Sequence, residues 1–183
     1  MRPAPARRVV VLISGRGSNM QRLVEHSRAA GAPYEVVAVL SDQAAAPGLA
    51  LARDLGCTAR WLGAGGYADR PTYDAALADA IESHAPDLVV LAAQETAHGA
   101  TVHFVTTELD AGPAVLQGRL DVGPDDDESS LRRRVQGIEH RIYPAAVEWF
   151  CSGRLEQRDG RAWRDGNWLR EPVQWGESGG ATS

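Results

Sequence analysis

Cysteine is nearly absent from this chain. Only Cys57 and Cys151 occur, far apart and without the spacing of a metal or redox pair. A disulfide framework is excluded, and two idle thiols in a reducing compartment is the expectation. Long apolar runs are missing too. The longest near the N-terminus, Val9 to Ile13, is five residues, short of the roughly seven a secretory signal core needs. No stretch approaches the roughly eighteen apolar residues of a membrane span. Positive charge is not in excess: the net charge is −5 and the pI about 5.5. General attraction to nucleic acid or an anionic membrane is therefore not expected. The five histidines, His26, His84, His98, His103 and His140, show no metal spacing, so no metal is expected. The reading is cytoplasmic, with no membrane and no nucleic-acid partner. What is present is globular: 183 residues, 44% apolar, enough for one ordinary domain with a proper core.

The first half alternates strand and helix. Val9 to Ile13 is an unbroken aliphatic run, the profile of a strand buried on both faces. Ser18 or Asn19 is placed to cap the helix that follows, which carries Met20, Leu23 and Val24 on one face and stops at Gly31. Tyr34 to Leu40 is a second strand, Pro47 to Gly56 a short helix, and Thr58 to Leu62 a brief third strand. Pro71 to Ala85 is the clearest helix, with Tyr73, Leu77 and Ile81 on one stripe and Ala76 and Ala80 filling it. Leu88 to Ala93 is the fourth strand. Repeated strand–helix units predict an open, doubly wound α/β sheet.

The second half changes style. Ala100 to Val105 and Ala114 to Leu120 read as a hairpin-like pair around the turn-rich TTELDAGP. The acidic run PDDDE leads into a helix whose stripe is Leu131, Val135, Ile138 and Ile142, with Pro144 expected to kink or interrupt it. Arg132 to Arg134 read as a solvated basic face answering Asp125 to Glu128. Glu156 to Asn167 reads as a hairpin and Glu177 to Ser183 as disordered, giving an α/β domain over 1–155 and a hairpin and tail over 156–183.

Ser14 to Gln21, SGRGSNMQ, opens a helix directly after the first strand. Glycines permit close backbone approach, and the first-turn N–H groups attract a phosphate. The alternative is a tight turn that binds nothing. It is not a P-loop, since no Gly-Lys-Ser/Thr follows, and it lacks the third glycine of a dinucleotide fingerprint. Asp110, in ELDAGP, sits on a turn where a carboxylate is most often solvated or in an Asx-turn, with a catalytic role open. Gln136 and Glu139 share a helix face that on its own reads as exposed and polar. His103 reads as a hydrogen-bonded structural residue.

Taken together, RVVVLISGRGSNMQ, APGLALARDLG, APDLVVLAA, GATVHFVTTELDAGPAVLQ and VQGIEHRIYPAAVEWFCSGRL resemble, in order, the phosphoribosylglycinamide formyltransferases of purine biosynthesis. The resemblance covers 7–155 almost continuously. It implies a three-layer formyltransferase-like α/β/α fold, mostly parallel, with an antiparallel strand near the C-terminal edge. It implies transfer of a formyl group from the co-substrate 10-formyltetrahydrofolate to glycinamide ribonucleotide, by a monomer or homodimer. Gly17, Ser18 and Asn19 match the loop for the ribonucleotide phosphate, and Gln136 and Glu139 the helix holding the nucleotide. Arg70 matches a folate contact, Thr106, Thr107, Glu108 and Leu109 the folate loop, and Asp110 the catalytic aspartate.

One join departs from the family. Between Leu88–Ala93 and Ala100–Val105 lie only six residues, Gln94 to Gly99. A parallel crossover needs about a dozen or more. The resemblance implies that about forty residues, a strand–helix unit with its loops, are missing after Ala93. With them go the family's catalytic asparagine and histidine. Removing that unit leaves the fourth strand next to an antiparallel one, which a six-residue link can reach. The expectation is one six-stranded sheet closed over the gap.

Overall fold

The computed structural model describes residues 5–92, 99–107, 112–176 and 180–182. The chain divides into two compact units, Met1–Gln94 and Glu95–Ser183.

The first unit is built on a four-stranded, all-parallel sheet. Its strands are β1 (Arg7–Ile13), β2 (Tyr34–Ser41), β3 (Thr58–Trp61) and β4 (Leu88–Leu91), in the order β3-β2-β1-β4. Val9, Val10 and Val11 of β1 are all fully buried, as a strand covered on both faces requires. The helices are α1 (Ser18–Ser27), α2 (Pro47–Asp54) and α3 (Arg70–Glu82). On one face Val10, Ala38 and Leu40 pack with Tyr73 and Ala80 of α3, and Leu77 and Ile81 complete the expected stripe. α1 and α2 touch each other and pack on β2 and β3, and the fully buried Met20 and Leu23 belong to this layer. The result is a three-layer, doubly wound α/β/α arrangement.

The cap of α1 differs from expectation. The N-cap is Gly17, in the left-handed region at φ 73°, and Ser18 is already helical. The tight turn off β1 demands positive φ at that position, which glycine alone adopts without strain. α3 begins where Asp69 accepts a hydrogen bond from the Thr72 amide.

The second unit contains β5 (Gly99–His103), β6 (Ala114–Arg119), α4 (Glu128–Cys151), a three-stranded antiparallel sheet of β7 (Leu155–Arg158), β8 (Arg161–Arg164) and β9 (Asn167–Trp168), then β10 (Val173–Gly176) and β11 (Gly180–Thr182). β5 and β6 are the expected antiparallel pair. β6 runs parallel to β10, and β11 returns antiparallel, giving the order β11-β10-β6-β5. α4 packs on β5 and β6, where Ile138, Ile142, Ala146 and Trp149 meet Ala100, Val115 and Leu116. Its start is a reciprocal capping box: Asp127 accepts from the Ser130 amide, and Ser130 accepts from the Asp127 amide.

Two further expectations are corrected. Pro144 does not interrupt α4, which is continuous from Glu128 to Cys151. Ile142, Ala146, Val147 and Trp149 are buried on both sides of the proline, and that packing outweighs the lost backbone bond. Residues 180–182 are not disordered, because they pair with β10; residues 177–179 and 183 lie outside the described residues. In the first unit β4 ends the sheet beside β1, and in the second β5 ends the sheet beside β6. β4 has shrunk to four residues, and the link, 93–98, lies outside the described residues. Among the described residues, no helix is long and apolar enough to cross a membrane.

Candidate functional site

In the first unit, the elements converge at the carboxyl ends of the strands. The turn Ser14-Gly15-Arg16-Gly17 links β1 to α1, and the N-terminus of α2 packs directly against it. The Gly48 amide donates to the Gly15 carbonyl at 3.0 Å. A Cβ on Gly17 would stand 3.0 Å from the Gly48 Cα, and one on Gly48 would stand 2.9 Å from the Gly15 oxygen. Both glycines are therefore required by backbone approaching backbone. Gly17 gives α1 no side-chain cap, so the positive end of this ten-residue helix faces outward over a glycine turn. Asn19 is buried just inside it.

Beside this turn lies a cavity of about 450 Å³, lined by Ile13 of β1 and Ser14 after it, Ser41 of β2 with Asp42 and Gln43 after it, Leu91 of β4, and Arg70, Tyr73 and Leu77 of α3. Ligands of doubly wound sheets bind at this end, beside the strand where the winding direction reverses. Arg70 pairs with Asp74 at 2.7 Å and lies over the Tyr73 ring at 5.7 Å. Burial and the Asp42 carboxylate push the Tyr73 hydroxyl pKa up. That hydroxyl donates to the Leu62 carbonyl at 3.3 Å, so Tyr73 is a neutral wall of the cavity. The contributions of Asp42, Gln43 and Tyr73 escaped sequence reasoning. For Asp42 and Gln43 the signal was their position immediately after the second strand.

In the second unit, Gln136 and Glu139 lie on α4. Glu139 is only 3% exposed, which corrects the reading of an exposed polar face. It sits among Val135, Ile138 and Ile142, the residues that define the inward side of the helix. A carboxylate taken out of water there needs polar partners. Thr106 and Thr107 are exposed after β5. Glu108, Leu109 and Asp110 lie outside the described residues. The base of their loop is well defined: the Phe104 amide donates to the Pro113 carbonyl at 3.1 Å, and a Cβ on Gly112 would run into the Phe104 carbonyl oxygen. The His103 Nδ1 is 3.0 Å from that same oxygen, the structural role its strand position suggested. The basic run of α4 is answered as expected, Arg132 by Glu128 at 2.8 Å and Arg134 by Asp126. Among the described residues no cluster of His, Cys, Asp and Glu could hold a metal.

Comparison with known proteins gives these positions a context. The formyl transferase family model matches residues 7–96 and 93–147. The phosphoribosylglycinamide formyltransferase of Escherichia coli is 35% identical over 201 residues, covering 88% of this chain and 95% of the relative. That of Haemophilus influenzae is 28% identical, covering 89% and 96%. Among solved structures, the phosphoribosylglycinamide formyltransferase of Coxiella burnetii superposes with a TM-score of 0.82 at 28% identity, covering 90% of this chain and 96% of that one. Glycinamide ribonucleotide transformylase 1 of Symbiobacterium toebii gives 0.79 at 33% identity, covering 87% and 94%. The alignment to the E. coli protein runs over 201 residues but takes in only 88% of the 183 here, about 161, so about 40 of its positions have no counterpart. The two matches to the family model meet at 93–96, which places the break after Ala93.

Proposed function

The chain belongs to the formyl transferase family, among the phosphoribosylglycinamide formyltransferases of purine biosynthesis, and from that premise we propose that it retains the ribonucleotide-phosphate site while its formyl transfer is strongly impaired. The observation that carries the proposal is the break at 93–96. The catalytic asparagine and histidine implied by the resemblance fall in the segment that is lacking.

The residues divide accordingly. Gly17, Ser18 and Asn19 hold the phosphate at the start of α1, where the glycine turn and helix terminus favour an anion. Gln136 and Glu139 hold the rest of glycinamide ribonucleotide. Arg70 and the segment Thr106, Thr107, Glu108 and Leu109 contact 10-formyltetrahydrofolate, which supplies the formyl group, and Asp110 serves the proton transfer. Support for Arg70 comes from its place on the wall of the 450 Å³ cavity. The setting is cytoplasmic, the chain a monomer or homodimer.

When the substrate amine attacks the formyl carbon, charge develops on the formyl oxygen and the amine must lose a proton. Losing one oxyanion donor typically slows such a step by about 10²–10³. Losing general acid–base help typically slows it by about 10²–10⁴. The two effects do not simply add, yet either leaves turnover marginal.

The test is formyl transfer from 10-formyltetrahydrofolate to glycinamide ribonucleotide by the purified chain, beside Asp110→Asn. The expected result is a folded protein that binds the ribonucleotide and transfers formyl slowly, yet faster than the uncatalysed reaction. Robust turnover abolished by Asp110→Asn would overturn the proposed impairment, since other residues would then have rebuilt the site. A second reading, a binding protein with no transferase role, is favoured by the intact Gly17 turn. Ribonucleotide binding with no detectable formyl transfer would select it.

A further inference from the structure

The cavity of the first unit joins two unlike surfaces. Its walls are apolar: Leu12 of β1 and Leu77 of α3 line it, and both pack against the buried cluster of Val10, Leu40 and Tyr73. Its rim is polar, formed by Ser41 of β2 with Asp42 and Gln43 after it. Ala64, after β3, lines the same cavity. In the order β3-β2-β1-β4, these rim residues belong to the strands on the far side of β1 from β4. At about 450 Å³ the space falls within the range of roughly 300–1,000 Å³ found for small-molecule sites.

Asp42 decides what the space can hold. Arg70, the cation on the lining, is paired with Asp74. Asp42 itself forms no ion pair among the described residues, and its Oδ2 accepts from the Gln43 side-chain amide at 3.1 Å. A carboxylate offers about four lone-pair positions, so Oδ1 is left for a donor from outside. The charge is felt within the cavity, since after burial it helps to raise the Tyr73 hydroxyl pKa. In doubly wound sheets an acidic residue about twenty positions past the glycine turn accepts from a ribose hydroxyl, and Asp42 stands at the end of β2 in that relation to Gly17. The turn itself lacks the dinucleotide glycine pattern, so the inference stops at the nucleoside. A small amine would satisfy the carboxylate and leave the apolar walls wet. A ligand without donors would fill the walls and leave Asp42 desolvated without a partner.

We propose that this cavity binds a purine ribonucleoside, with the ribose hydroxyls donating to Asp42 and the flat base held between the Leu12 and Leu77 walls. The site uses residues of the first unit alone. It stands whether or not the chain transfers formyl, and it is separate from the Gly17 turn proposed for the phosphate of glycinamide ribonucleotide.

The probe is adenosine, titrated calorimetrically into the full chain. One-to-one binding is expected, and 2′-deoxyadenosine should bind about tenfold or more weakly, because it lacks a hydroxyl for the carboxylate. Asp42→Ala should weaken adenosine by a similar factor and erase the preference over the deoxy form, a coupling that a merely structural role would not produce. Ala64→Trp should block the cavity and abolish binding. Asp42 and Ala64 are both exposed, so both variants should fold, as far-ultraviolet circular dichroism would verify. Glycinamide ribonucleotide also carries a ribose, so the titration is repeated with it in excess, and adenosine binding should persist. No adenosine binding by the folded parent chain would overturn the proposal. Equal affinity for the two nucleosides, or binding that survives Ala64→Trp, would overturn it as well. Displacement by glycinamide ribonucleotide would assign the sugar to the substrate site and overturn it equally.

Discussion

Gly17 concentrates two demands in one residue. Its positive φ is costly for any side chain, by about 1–2 kcal/mol, and the Gly48 Cα leaves no room for a methyl group. Gly17→Ala should lower stability by about that amount in denaturant titration and weaken binding of the ribonucleotide phosphate. An unchanged phosphate affinity would place the site elsewhere. Asp87 shows how one carboxylate ties the start of β1 to the loop before β4. It accepts from the Arg8 amide at 2.8 Å and from the Arg7 guanidinium at 2.9 Å. The amide first, and then the guanidinium, hold its pKa below the usual carboxylate range. A pKa depressed in the folded state means stability that is present above the unfolded-state value of about 3.9 and lost as pH falls through the lower folded value. Asp87→Asn should therefore be less stable than the parent at neutral pH, and the two curves should converge in strong acid. A constant difference down to the acid limit would mean the charge is irrelevant.

Among the elements, α4 shows both the reach and the limit of sequence reading. The stripe Val135, Ile138 and Ile142 was legible because helical period and burial coincide. The acidic approach to its first turn was legible as well, and Asp127 closes a capping box there. Asp127→Ala should cost about 1 kcal/mol, read as a shift in the urea midpoint without change of slope. Two features of α4 were not legible. Pro144 looked like an interruption, because local propensity cannot register the packing on both sides of it. Glu139 looked exposed, because a single carboxylate in a polar stretch carries no signal of the apolar wall it faces. The α1 cap was misplaced by one residue for a similar reason: Ser18 is a better cap by type, but the turn's geometry needed glycine there.

At the scale of the whole molecule, the alternation of strand and helix over the first ninety or so residues specified the doubly wound layers of the first unit correctly. The break after Ala93 was legible as a connection too short for a parallel crossover.

The tryptophans are divided as unevenly as the sheets. Trp149, Trp163, Trp168 and Trp175 all belong to Glu95–Ser183. There Arg164 lies 3.9 Å from the Trp149 ring, and Arg161 and Arg170 flank Trp168 at 4.6 and 5.0 Å. The first unit has Trp61 alone, 53% exposed, its indole N–H donating to the Asp42 carbonyl at 3.2 Å. Intrinsic fluorescence therefore reports chiefly on one half of the protein. A melt followed by emission alone would register the loss of α4 and its sheets, while the Gly17 turn could come apart unseen.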